Sequence, residues 1–242
     1  MRWIYLSPHL DDAVLSCGGL IYEQAKQGTP VAIWTLMAGY PRNPHLSALA
    51  VRIHAEWGTG GAWRTVFARR QEDRRAARLV GAQVRHFDFL DMIYRRSKTG
   101  ETLYPDDIFV DRHPADRDFP EQLAMALSST LRLDDILVCP LAIGGHLDHV
   151  LVREAAEKLR RPLWYYADVP YVLQQPQALM PAARGLISVL FPIFQESLEV
   201  WIAGILTYAS QISSLFGDAR NVQEAIRSYW AFENGLRLWR VD

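Results

Sequence analysis

The chain has 242 residues, half of them apolar, with two cysteines and a formal net charge of -1. That length and apolar content suit one large α/β domain with a sizeable core. The near-neutral charge gives a nucleic-acid backbone no electrostatic reason to choose this surface.

In chain order, Trp3 to Ser7 reads as a short strand that Pro8 ends. The roughly five apolar residues ahead of Ser7-Pro8-His9 are too few for the apolar region of a secretory signal. Ala13 to Gln27 has helical spacing of apolar side chains, with Asp11 or Asp12 as a cap and Gly28 as terminator. Gly18-Gly19 inside this helix costs roughly 1 kcal/mol per glycine, which implies close packing of helix on sheet or backbone approaching a ligand. Val31 to Leu36 is the second strand.

Gly39 to Trp63, with four glycines and two prolines, reads as a long functional or mobile loop. Helix is expected over Phe67 to Leu79, ended by Gly81, and strand over Val84 to Phe89. Leu90 to Asp118 is irregular and charged. Helix follows over Phe119 to Leu131, strand over Asp135 to Cys139, helix over His149 to Leu159 and strand over Leu163 to Tyr166.

This alternation predicts an α/β fold, a Rossmann-like parallel sheet with helices on both faces, as a single domain over 1–242. Residues 1–166 form the core. Residues 167–242, rich in aromatics, complete it mainly with helices. The apolar stretch from Gly185 to Phe194, then Leu198 to Leu206, is interrupted by Gln195, Glu196 and Glu199 well before the ~20 residues of a membrane span. It reads as buried helix or an association surface, so a homo-oligomer is possible. Cys17 and Cys139 lie in apolar segments outside any Cys-x-x-Cys, which predicts buried free thiols and a cytoplasmic setting.

His9-Leu10-Asp11-Asp12 follows the first strand, and His146-Leu147-Asp148-His149 follows the fourth. In doubly wound sheets, ligands sit beyond the carboxyl ends of strands where strand order reverses, and these two strands flank that point in the common order. His9, Asp12 and His149 can supply the three N/O ligands of a catalytic zinc, leaving a position for water whose pKa falls toward ~7. Asp11 can accept a proton from that water. His146, if protonated, can stabilise an oxyanion or protonate a leaving amine. Asp148 can hydrogen-bond a histidine ring. Alone, the first cluster could be helix caps and the second a surface turn; their joint placement at two strand ends favours a site. His45, His54, His86 and His113 have no partner at ligand spacing and read as ordinary surface or core. No Gly-x-Gly-x-x-Gly follows the first strand, and carboxylates stand where phosphate would be cradled, which argues against nucleotide binding.

Ser7-Pro8-His9-Leu10-Asp11-Asp12 with Gly18-Gly19 resembles the opening motif of the PIG-L/LmbE-like deacetylases, Pro-His-Pro-Asp-Asp-Glu and a Gly-Gly helix. Arg69-Arg70-Gln71-Glu72 resembles the family's Arg-x-x-Glu helix. Gly145-His146-Leu147-Asp148-His149 is similar to its His-Pro-Asp-His motif, and Tyr208-Ala209-Ser210-Gln211 to the tail motif of some members. The resemblance implies a zinc-dependent N-deacetylase acting on N-acetylglucosamine conjugates, with another divalent ion as an alternative. It implies zinc ligands His9, Asp12 and His149, general base Asp11, oxyanion stabiliser His146 oriented by Asp148, and substrate contact by Arg69. Leu10 and Leu147 replace prolines, Ala13 replaces a glutamate, and Gly144 stands where some members carry tyrosine; none of these removes a ligand. The alternatives are a metal-dependent amidase or esterase on a non-sugar, and a non-catalytic binder.

Overall fold

The computed structural model describes residues 1–241. In chain order its elements are β1 (Arg2–Ser7), α1 (Asp12–Lys26), β2 (Val31–Thr35), α2 (Ala48–Glu56), α3 (Ala62–Leu79) and β3 (Gln83–His86). Then come α4 (Phe119–Ser128), β4 (Asp135–Pro140), α5 (Leu147–Lys158), β5 (Leu163–Tyr166), and the short α6 (Tyr171–Gln174) and α7 (Leu179–Ala182). The last are β6 (Ile187–Pro192), α8 (Gln195–Leu206), α9 (Ala209–Phe216), α10 (Ala219–Ala231) and β7 (Gly235–Arg240).

One sheet runs in the order β3-β2-β1-β4-β5-β7-β6. The first five strands in that order are parallel. β1 and β4 lie side by side at its centre, with Tyr5 opposite Val138. From β1 the chain works outward through β2 to β3, and from β4 it works the other way to β5. Right-handed crossovers in opposite directions put their helices on opposite faces. Accordingly α1, α3 and α8 pack as one group, and α4 and α5 as another. The central strands are buried on both faces, and Ile4, Tyr5, Leu6, Leu137, Val138 and Cys139 are fully enclosed. Cys17 and Cys139 are buried free thiols, as expected.

Three expectations need correction. The sheet is not wholly parallel, because β7 pairs antiparallel with β5 and β6 antiparallel with β7. The stretch expected as buried helix or an association surface is strand over Ile187–Pro192 and helix only over Gln195–Leu206. A six-residue apolar run lacks the length to reveal a helical period, and its strand state comes from pairing with β7. Within the region expected as loop, Ser47 caps α2 through its side chain, accepting the Ala50 amide at 3.1 Å. The loop's glycines and prolines flank that helix rather than break it.

Gly18 and Gly19 meet a helix, not the sheet. A Cβ at Gly18 would lie 2.5 Å from Trp201 Cδ1, and one at Gly19 3.1 Å from its Cε3. The two glycines thus open α1 to the indole of α8. Trp201 and Tyr208 of the aromatic tail are fully buried, while Phe194 and Phe232 remain exposed. Among the described residues, no helix is long and apolar enough to cross a membrane.

Candidate active site

β1 and β4 end together, so the turns that follow them bring the two histidine clusters into one place. In the first turn, Ser7 Oγ donates to the His9 carbonyl (2.7 Å) and accepts the Ala13 amide (3.0 Å). Ser7 therefore serves the start of α1, and Asp11, at the cap position, makes no capping bond with its side chain. The Asp12 carboxylate folds back to accept the His9 amide at 2.6 Å. In the second turn, His146 caps α5, its Nδ1 accepting the Asp148 amide at 3.2 Å. His149 lies in the helix's first turn, one ridge from His146.

Asp12 stands between two imidazoles, with Oδ2 3.4 Å from His9 Nδ1 and Oδ1 3.4 Å from His149 Nε2. The opposite nitrogen of each ring meets another carboxylate. His9 Nε2 is 3.1 Å from Asp148 Oδ2, and His149 Nδ1 is 2.7 Å from Asp168 Oδ1. The structure corrects one expectation here: the Asp148 carboxylate bonds the His9 ring, not the His146 ring. Arg95 and the Met92 amide (3.0 Å) hold Asp148 in that pose.

A cavity of about 270 Å³ opens onto His9, Asp11, Asp12, Arg69, His146 and His149. Five of the six lie in the two turns or in the first turn of the helix that follows each, and α3 delivers Arg69. Its Nη2 is 3.3 Å from Asp11 Oδ2, and its guanidinium lies 4.3 Å over the Trp57 ring. Residues of both expected loops line the same cavity, among them Trp57, Asp91 and Phe109, while His45, His54, His86 and His113 do not.

Burial and charge set the protonation of these groups. Burial alone would depress His9 and His149, but carboxylates outweigh it. Asp91, Asp12 and Asp148 hold His9 well above its usual range, and Asp12 and Asp168 raise His149 to about 9. Asp12 resists burial and stays well below the usual carboxylate range because His149 and His9 flank it. Burial and the Asp12 charge push Asp11 up to about 6, against the pull of Arg69. Burial and the neighbouring His9 and His149 push His146 well down.

These donors fit a divalent metal. Nitrogens of His9, His146 and His149 lie within 4.8 Å of one another, and Asp12 adds an anionic oxygen between two of the rings. The field that keeps protons on His9 and His149 is one a dication would satisfy by displacing them.

The sequence reading passed over Asp168, Arg95 and Asp91. Asp168 lies two residues past β5, so the strand-end rule that singled out His9 would have found it. Asp91 and Arg95 lie in an irregular loop with no such signal. Arg95 is almost completely buried, touching Asp148, Asp116 (3.0 Å) and the Phe119 ring (4.4 Å). Arg95→Lys keeps the charge but cannot span both carboxylates. It is expected to lower stability by about 1–3 kcal/mol, read by urea denaturation; an unchanged midpoint would refute the clamp.

A family model described as PIG-L, GlcNAc-PI de-N-acetylase, matches residues 4–159. The chain belongs to this family. A 2'-N-acetylparomamine deacetylase of Niallia circulans is 29% identical over 99% of this chain and 94% of its own length. A 2'-N-acetylparomamine deacetylase of Streptomyces fradiae is 28% identical over 93% of this chain and 77% of its length. The zinc-inhibited form of teicoplanin deacetylase superposes with a TM-score of 0.86 at 28% identity, covering 100% of this chain and 99% of the other. The family expected from the two histidine motifs is the family found, and its named relatives are deacetylases.

Proposed function

We propose that the protein is a zinc-dependent N-deacetylase that removes the acetyl group from an N-acetylated amino-sugar conjugate. The observation that carries this is the convergence of His9 Nδ1 and His149 Nε2 on Asp12, with Asp11 and Arg69 at the same cavity, in a chain of the PIG-L family. The sugar class follows the substrates for which its relatives are named.

His9, Asp12 and His149 would hold the ion. Bound there, zinc would acidify water and polarise the acetyl carbonyl. Asp11 takes the proton from the attacking water, and Arg69 keeps the Asp11 carboxylate anionic and aimed. His146 accepts a main-chain amide on Nδ1, so when neutral it carries its proton on Nε2 and donates that N–H to the tetrahedral oxyanion. Asp11 then returns its proton to the departing nitrogen, the C–N bond breaks, and acetate and a free amine leave. Asp148 steadies His9 rather than reacting. The buried thiols Cys17 and Cys139 suit a reducing, cytoplasmic setting.

The reading is tested by acetate release from N-acetylated aminoglycosides and N-acetylglucosamine. Chelation is expected to abolish release and added Zn2+ to restore it. Full activity in the chelated protein would refute it.

The pH profile gives a second test. A base works only when deprotonated, so activity should rise as pH rises through about 6 and vanish in acid. Arg69→Met removes the cation that lowers Asp11, so the rising limb should move to higher pH. A limb that stays put in kcat/KM would exclude Asp11 as the group reported.

A further inference from the structure

Asp168 lies outside the segment matched by the family model and is 1% exposed. Both of its carboxylate oxygens are engaged. Oδ1 is 2.7 Å from His149 Nδ1, and Oδ2 accepts the Ile143 amide at 3.0 Å. The adjoining chain is tied to the elements that carry the rest of the site. The Val169 amide donates to Ser16 Oγ of α1 at 3.0 Å, and the Tyr166 hydroxyl to the Leu6 carbonyl of β1 at 3.0 Å. A closed circuit results: Asp12 opens α1, Ser16 of α1 holds Val169, Asp168 holds His149, and His149 returns to Asp12.

A carboxylate facing Nδ1 keeps the ring proton there, which leaves the Nε2 lone pair as the ligating one. We propose that Asp168 is a positioning residue of the metal site, fixing His149 as the Nδ1–H tautomer with its Nε2 lone pair turned toward Asp12 and the ion. This rests on the metal-dependent reading above. Asp148 acts on His9 from the other side, but it also answers to Arg95. Among the described residues Asp168 pairs with no arginine or lysine, so its charge is directed at His149.

Asp168→Asn separates this role from simple space filling. The amide has one acceptor and one NH2. If NH2 turns to the Ile143 amide, donor faces donor. If it turns to His149, it donates to Nδ1 and the ring proton moves to Nε2, the face that should bind metal. Either arrangement weakens the site without changing its volume.

The test titrates Zn2+ into the metal-free full chain against a chelating dye, for wild type, Asp168→Asn and Ser16→Ala. Asp168→Asn is expected to raise the zinc Kd by about 10–100-fold, while Ser16→Ala, which loosens the segment but spares the His149 pair, should stay within about 3-fold. An Asp168→Asn Kd within about 3-fold of wild type overturns the proposal, as does a Ser16→Ala loss of equal size. Nitrogen-15 spectra of zinc-loaded wild type give a readout that needs no variant: a proton on His149 Nδ1 is expected, and one on Nε2 refutes the assignment. Wild type that binds no zinc overturns both this proposal and the metal-dependent reading. Zinc binding that Asp168→Asn leaves intact overturns this proposal alone.

Discussion

Asp11→Asn is expected to lower kcat by about 10²–10⁴-fold, the usual worth of a positioned general base. Asparagine keeps the shape of the side chain but cannot take a proton from water. Asp11 is suited to the role because, among the described residues, Arg69 at 3.3 Å is the one partner of its carboxylate. It does not cap α1, although it holds the capping position, because Ser7 takes the Ala13 amide. Its neighbour Asp12 is committed to the two imidazoles. The variant should therefore bind Zn2+ with little change, as a chelator titration would show, while acetate release collapses. Loss of metal and activity together would move Asp11 into the ligand set. Activity within about tenfold of wild type would assign the base elsewhere.

Trp201→Ala is expected to cost about 3–5 kcal/mol of stability, the usual range for deleting a buried tryptophan. Its indole is fully buried in the seam between α8 and α1, with Nε1 donating to the Val14 carbonyl at 2.8 Å. Gly18 and Gly19 leave no side chain that could fill the void. Domains are stable by only about 5–15 kcal/mol, so the loss should be plain in urea denaturation. Trp201→Phe restores most of the volume and should lose much less. A Trp201→Ala loss below about 1 kcal/mol would mean that the seam collapses around the gap.

The parallel half of the fold was legible because short apolar strands alternate with helices there, β1 and β4 each leading into a helix with an apolar face. Pro8 and Pro140 mark the ends of β1 and β4 in the sequence itself. Knowing that those ends are neighbours was enough to gather His9, Asp11, Asp12, His146 and His149. β6 and β7 were hidden because their partners are remote and their short apolar runs have no decisive period. Arg69 was named from a motif, yet its geometry depends on Trp57, and no local pattern pairs those two residues. The Asp148 carboxylate was expected at His146, three positions from His149 on the same turn. Its true neighbour, His9, lies 139 residues away in the chain. Local spacing names the residue types of a site; long-range packing decides which atoms meet.

The position of β7 has a consequence for how the chain is made. β6 borders only β7, and β7 sits between β5 and β6, so β5 and β6 both await a strand that three helices separate from β6. During synthesis the whole parallel half, with both metal-site turns, leaves the ribosome while that gap is still open. β6 then presents an unpaired and uncharged edge, Ile-Ser-Val-Leu-Phe-Pro, to other nascent chains. Until β7 docks between them, the edges of β5 and β6 both stand open to other chains, so a change that slows the docking of β7 should lower soluble yield without altering the finished protein.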